Sequence, residues 1–131
     1  MDRIVLCVDD DPDDRELIKN AIVEIDGSMN IAFASNGIEA MQVLRGAKQL
    51  TLPCLIIVDI NMPMMDGKQT VLAIQDDPDL SRIPVVVFTT SSHPSDRDFC
   101  LRHGVELVTK PVNYRQISDE ARRLLRHCSP S

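Results

Sequence analysis

The chain has no excess of positive charge. Its 131 residues hold 14 Lys and Arg against 20 Asp and Glu, a formal net charge of −6 at pH 7. Phosphate backbones are bound by basic surfaces, so direct binding to nucleic acid is disfavoured. No apolar run approaches the ~18 residues of a membrane span, which argues against membrane insertion. The opening Met1-Asp2-Arg3-Ile4 is not a secretory signal, because Asp9, Asp10 and Asp11 interrupt any hydrophobic region. None of the four cysteines (Cys7, Cys54, Cys100, Cys128) forms a C-x-x-C pair. Cys7 and Cys54 lie inside apolar runs and read as small buried hydrophobes. Together these absences point to a cytoplasmic protein. The chain also lacks a linker or low-complexity tract, so residues 1–131 are expected to form one domain with no output module.

What is present is an ordinary globular composition, 44% hydrophobic and 26% charged. A chain of this size buries roughly two thirds of its extended-chain surface, enough for its own core. The hydrophobic pattern alternates between two periods. Ile4-Val5-Leu6-Cys7-Val8 is a continuous apolar run of strand length. Asp11-Pro12 then opens a helix whose apolar face is Leu17, Ile18, Ala21, Ile22 and Ile25. Ile31 to Ala34 reads as a second strand. The second helix follows, with Asn36 and Glu39 at capping-box spacing and Ile38, Met41 and Leu44 as its apolar residues. Cys54 to Val58 is the third strand. Val71, Leu72 and Ile74 belong to a helix ending near Asp77-Pro78. Val85 to Phe88 is the fourth strand, with a helix expected from Pro94-Ser95 to Gly104. Glu106 to Val108 is a short fifth strand. The last helix opens near Asn113 and is expected to turn Tyr114, Ile117, Ala121, Leu124 and Leu125 inward.

Five strand–helix units in one domain imply an α/β fold with a parallel sheet covered on both faces. Ligands of such sheets bind beyond the carboxyl ends of the strands. The first strand ends in Asp9-Asp10-Asp11 and the third in Asp59, followed by Asn61. The fourth ends in Thr89-Thr90-Ser91 and the fifth in Thr109-Lys110-Pro111. Crowded carboxylates repel unless a cation intervenes. Magnesium is suited to such a site, taking one or two carboxylates together with water and phosphate oxygens. A carboxylate is also a nucleophile toward phosphorus. A lysine and a hydroxyl beside the incoming phosphoryl group supply charge and a hydrogen bond.

These residues resemble the receiver domain of two-component response regulators over almost the whole chain. The resemblance rests on Val8-Asp9-Asp10, the segment Asp59-Ile60-Asn61-Met62-Pro63-Met64-Met65-Asp66-Gly67, Pro84 through Thr90, and Lys110-Pro111. It implies a doubly wound, flavodoxin-like (βα)5 fold with strand order 2-1-3-4-5. It implies that Asp59 is the phosphoacceptor. Asp9, Asp10 and Asp59, with the backbone carbonyl of Asn61, would hold Mg2+, with Asp10 and Asp59 as direct ligands. Lys110 would contact the phosphoryl group, Thr89 would sense it, and the Lys110-Pro111 bond would be cis. The implied protein is a stand-alone signalling domain that phosphorylates and dephosphorylates itself, rather than a conventional enzyme. Its donor would be a histidine kinase or histidine phosphotransfer protein, its output a protein partner, and its state a monomer or weak dimer. The run Asp9 to Ile18 looks like stand-alone receivers that serve phytochrome-type and hybrid kinases.

Two positions depart from the family pattern. Leu107 stands where many receivers carry the switch aromatic, and Thr90 stands where a small residue is common. Leu107 is the best support for an alternative, a pseudo-receiver scaffold that binds partners without phosphorylation. A haloacid-dehalogenase-like phosphohydrolase is disfavoured because Asn61 replaces the second aspartate that such enzymes use. Flavin binding has no motif in its favour.

Overall fold

The structure is a computed structural model that describes residues 3–47, 51–91 and 93–128. Strand and helix alternate along it: β1 (Ile4–Val8), α1 (Pro12–Ile25), β2 (Asn30–Ala34), α2 (Gly37–Ala47), β3 (Leu55–Val58), α3 (Gly67–Asp76), β4 (Val85–Thr89), α4 (Pro94–Arg102), β5 (Glu106–Thr109) and α5 (Tyr114–Leu124). A 3-10 turn, Leu125–Cys128, follows α5. All four strand pairings are parallel, and the order is β2-β1-β3-β4-β5. This is the doubly wound flavodoxin-like topology.

The central strands bury both faces, which is why they read as unbroken apolar runs rather than alternating ones. The period of two divides their side chains between two cores. Leu6, Val8, Ile56, Val58 and Val87 pack with Met41, Leu44, Val71, Ile74 and Phe99 of α2, α3 and α4. Val5, Cys7, Leu55, Ile57, Val86 and Phe88 pack with Ile18, Ile22, Ile117, Ala121 and Leu124 of α1 and α5. Among the described residues, no helix is long and apolar enough to cross a membrane.

Local chemistry sets the helix starts. Asp11 caps α1 by accepting the Asp13 N–H at 2.9 Å, with Pro12 as the first helical residue. Asp66 and Gln69 form a reciprocal capping box on α3. Asn113 caps α5. At α2 the expected box is only half formed. Asn36 accepts the Glu39 N–H at 3.0 Å, but the Glu39 carboxylate accepts the N–H of Ser35, not that of Asn36.

Three expectations about burial and cysteine pairing change. Leu17 is 42% exposed, because α1 buries Ile18, Ala21 and Ile22 and Leu17 lies off that stripe. Tyr114 is 49% exposed: it is the first residue of α5, ahead of Ile117, where burial begins. Cys54 and Cys128 are disulfide-bonded across 74 residues of sequence, with Cα atoms 5.1 Å apart. The turn after α5 returns the chain to the start of β3, a proximity that sequence spacing does not show. Cys7 and Cys100 are buried thiols. Burial pushes the Cys7 thiol up to about 12, so it stays protonated and inert.

Candidate phosphoryl and metal site

The pairing of β1 with its neighbours β3 and β2 continues past the strand ends. Asp59 N–H donates to Val8 O at 2.9 Å, and Asp9 N–H donates to Ala34 O at 3.0 Å. Asp9 and Asp59 therefore leave the sheet side by side, both buried, while Asp10 is exposed one residue further on. Each of Asp9, Asp10 and Asp59 offers a carboxylate oxygen, and these atoms all lie within 4.8 Å of one another. The donor set is entirely hard oxygen, which fits magnesium or a similar divalent cation.

Gly67 sets how closely α3 approaches this edge. Its N–H donates to Ile60 O at 2.8 Å. A Cβ at Gly67 would lie 2.2 Å from the Asp59 backbone oxygen, so glycine is required by that approach. The Asp59 Oδ1 accepts the Ile60 N–H at 2.8 Å, which fixes the carboxylate's orientation.

Lys110 reaches the cluster from beyond β5. Its backbone N–H donates to Thr89 O at 2.8 Å. Its ammonium donates to Asp9 Oδ2 at 2.7 Å, Asp14 Oδ2 at 2.7 Å and Asp59 Oδ2 at 3.0 Å. The three hydrogens of the ammonium are thus matched to three carboxylates. Burial alone would lower the Lys110 pKa. The hydrogen bonds to Asp14, Asp9 and Asp59 reverse that and hold it above its ordinary value. Burial has the opposite effect on Asp9: it pushes that carboxyl up, and the bonds from Lys110 and the Asp11 N–H only partly offset it. The Lys110-Pro111 bond is trans, not cis as the family resemblance implies, since no described peptide bond is cis. Trans is the favoured isomer of an X-Pro bond, and in it Lys110 already meets its three partners.

Thr89 is fully buried at the end of β4, on the strand next to Asp59, and its hydroxyl accepts the Ser91 N–H at 3.2 Å. Asn61 is exposed in the loop leaving β3. Leu107 is half-buried on β5. Two acidic residues of the site region escaped sequence reasoning. Asp14 is one. The other is Asp96 of α4, which is buried, accepts a hydrogen bond from the Ser91 hydroxyl, and pairs with Lys68 of α3 at 2.6 Å. Both stand in the first turn of a helix, where an acid is already explained by the helix dipole.

Comparison with known proteins agrees with this geometry. The family model described as the response regulator receiver domain matches residues 5–122. The response regulator Rcp1 of Synechocystis is 32% identical over 97 residues, 72% of this chain and 66% of Rcp1. The phosphorylated cyanobacterial phytochrome response regulator RcpA superposes with a TM-score of 0.87 at 29% identity, covering 96% of this chain and 93% of RcpA. The Mn2+-bound form of Rcp1 superposes with a TM-score of 0.82 at 27% identity, covering 94% and 91% of the two chains.

Proposed function

Because the chain belongs to the response regulator receiver family of two-component signalling, we propose that Asp59 accepts a phosphoryl group from a histidine kinase or a histidine phosphotransfer protein. The observation that carries this reading is the meeting of three carboxylates around the Lys110 ammonium at the carboxyl edge of the sheet, with Asp10 beside them. In the reaction, an Asp59 carboxylate oxygen attacks the phosphorus of a phosphohistidine. The phosphorus–nitrogen bond breaks, its electron pair leaves with the imidazole, and an acyl phosphate forms. Such a transfer depends on positioning and charge neutralisation more than on acid–base work.

This chain's residues supply both. The Ile60 N–H orients Asp59. Lys110 already lies 3.0 Å from Asp59 and donates to the incoming phosphoryl oxygens. Asp9, Asp10, Asp59 and the Asn61 carbonyl would hold Mg2+, which when bound neutralises charge on the phosphoryl oxygens. A carboxylate set of this kind, together with the similarity to the Mn2+-bound Rcp1 structure, supports a divalent metal. Similarity to RcpA supports a phytochrome-type kinase as donor.

Output begins at Thr89. When its hydroxyl turns to the phosphoryl group, it releases the Ser91 N–H. Ser91 is bonded to Asp96, and Asp96 to Lys68, so the change reaches α4 and α3. Leu107 offers no aromatic rotation, so this hydrogen-bonded path replaces it. The downstream partner would dock on the α4–β5–α5 face, where Leu101 and Tyr114 are exposed.

The test is intact-protein mass after incubation with acetyl phosphate and magnesium, beside Asp59→Asn. The expected result is a gain of one phosphoryl mass, about 80 Da, that requires both magnesium and Asp59. Labelling that persists in Asp59→Asn would refute the assignment. Magnesium should also raise the thermal midpoint, and Asp10→Ala should weaken that response.

A further inference from the structure

We propose that Asp14 is a positioning residue that holds Lys110 in reserve and sets how the site divides its affinity between the metal cation and the anionic phosphoryl donor. This rests on the phosphoacceptor role of Asp59. Lys110 has three hydrogens and spends them on Asp9, Asp14 and Asp59. Asp9 and Asp59 belong to the cluster whose oxygens converge for a cation, and Asp14 does not. Asp14 belongs to a helix, on the first turn of α1, yet its 2.7 Å bond to the ammonium is as short as that of Asp9.

A phosphoryl group arriving at Asp59 brings its own negative oxygens and needs hydrogens from Lys110. The bond to Asp14 is the one Lys110 can surrender without disturbing the metal ligands. Until then, Asp14 competes with the donor for the ammonium and adds one negative charge to the edge the donor approaches. The same charge favours a divalent cation. Asp14 therefore acts with opposite sign on the two ligands, and more strongly than a screened carboxylate that lacks the ammonium bond.

The nearby control is Asp13. It lies on the same helical turn, is exposed, and carries the same charge, while the ammonium bond belongs to Asp14. The experiment compares Asp14→Asn, Asp14→Glu and Asp13→Asn with the unmutated protein. It measures the magnesium dissociation constant by titration and the concentration of acetyl phosphate giving half-maximal phosphorylation rate. Asp14→Asn is expected to weaken magnesium binding about three- to tenfold and to lower the half-maximal acetyl phosphate concentration by a similar factor, the scale of one partly exposed charged hydrogen bond. Asp14→Glu should stay near the unmutated values, and Asp13→Asn should move both by less than about twofold, as a screened surface charge does.

If both affinities fall together in Asp14→Asn, or if Asp14→Asn matches Asp13→Asn, the proposal is overturned. If the unmutated protein takes up no phosphoryl group from acetyl phosphate or from a phosphorylated kinase, the phosphoacceptor reading fails instead. The magnesium constants of the same variants then still decide Asp14: no loss in Asp14→Asn relative to Asp13→Asn overturns its role.

Discussion

The Lys110 ammonium is largely covered and shared among three acids, and its removal would strand Asp9 and Asp59. Asp9 and Asp59 are both buried, so the loss is not made good by water. Lys110→Met keeps the volume and deletes the charge. It is expected to cost about 3–5 kcal/mol in metal-free protein at neutral pH, the cost of breaking a buried charge pair by removing one partner. Magnesium should recover part of this, so its effect on the thermal midpoint should be larger in Lys110→Met than in the unmutated protein. Thermal unfolding in chelator and in magnesium checks both statements; equal magnesium responses would mean that Lys110 and the metal do not share these carboxylates. At this scale much of the site is legible in sequence. Asp9, Asp10, Asp59, Thr89 and Lys110 are polar residues that stop apolar strands, and strand ends of a parallel sheet share one edge. Asp14 is not legible, because it stands among Asp11, Asp13 and Glu16 in a helix start that would attract acids in any case.

Among the elements, α3, α4 and the β4–α4 loop are joined at Asp96. Lys68 holds the Asp96 carboxyl below its ordinary value of 3.8, and the Ser91 hydroxyl adds to this. A depressed carboxyl pKa contributes stability that is present above the unfolded value and lost as pH falls through the folded one. Asp96→Asn should therefore lower stability by about 1–2 kcal/mol near pH 7, a charged hydrogen bond discounted for the partly exposed Lys68. The difference from the unmutated protein should shrink below about pH 4. Thermal midpoints of both proteins between pH 7 and pH 3 test this; a constant difference across that range would show that charge at Asp96 is not what matters. Element order and type follow from the hydrophobic periods, and the caps at Asp11 and Asn113 mark helix starts correctly. Which residues of each helix face water follows less well. Leu17, Ile38 and Leu72 each sit one position off the buried stripe, and that stripe is chosen by how the helix lies on the sheet.

At the scale of the whole molecule, the chain is closed by the bond between Cys54 and Cys128, which ties the last turn to the start of β3. Arg3 adds a hydrogen bond to the Cys128 carbonyl at 3.2 Å. Cross-linking residues this far apart in sequence removes freedom from the unfolded chain, so reduction should cost about 2–4 kcal/mol. Dithiothreitol is expected to lower the thermal midpoint by several degrees, and Cys54→Ser should start at the lower midpoint and ignore the reductant. An unmutated protein indifferent to dithiothreitol would refute the clamp. The amino-acid order by itself determined the alternation of strand and helix, the burial of the central strands on both faces, and the acids and lysine at the strand ends, because each of these is local in sequence. Tertiary structure alone decided the partners of Lys110, the burial of Asp96 and the meeting of Cys54 with Cys128. Lys110 lies 96 residues from Asp14, and the two cysteines are separated by 74. Such contacts depend on the order in which strands pair and on where each helix comes to rest, and no local period encodes that.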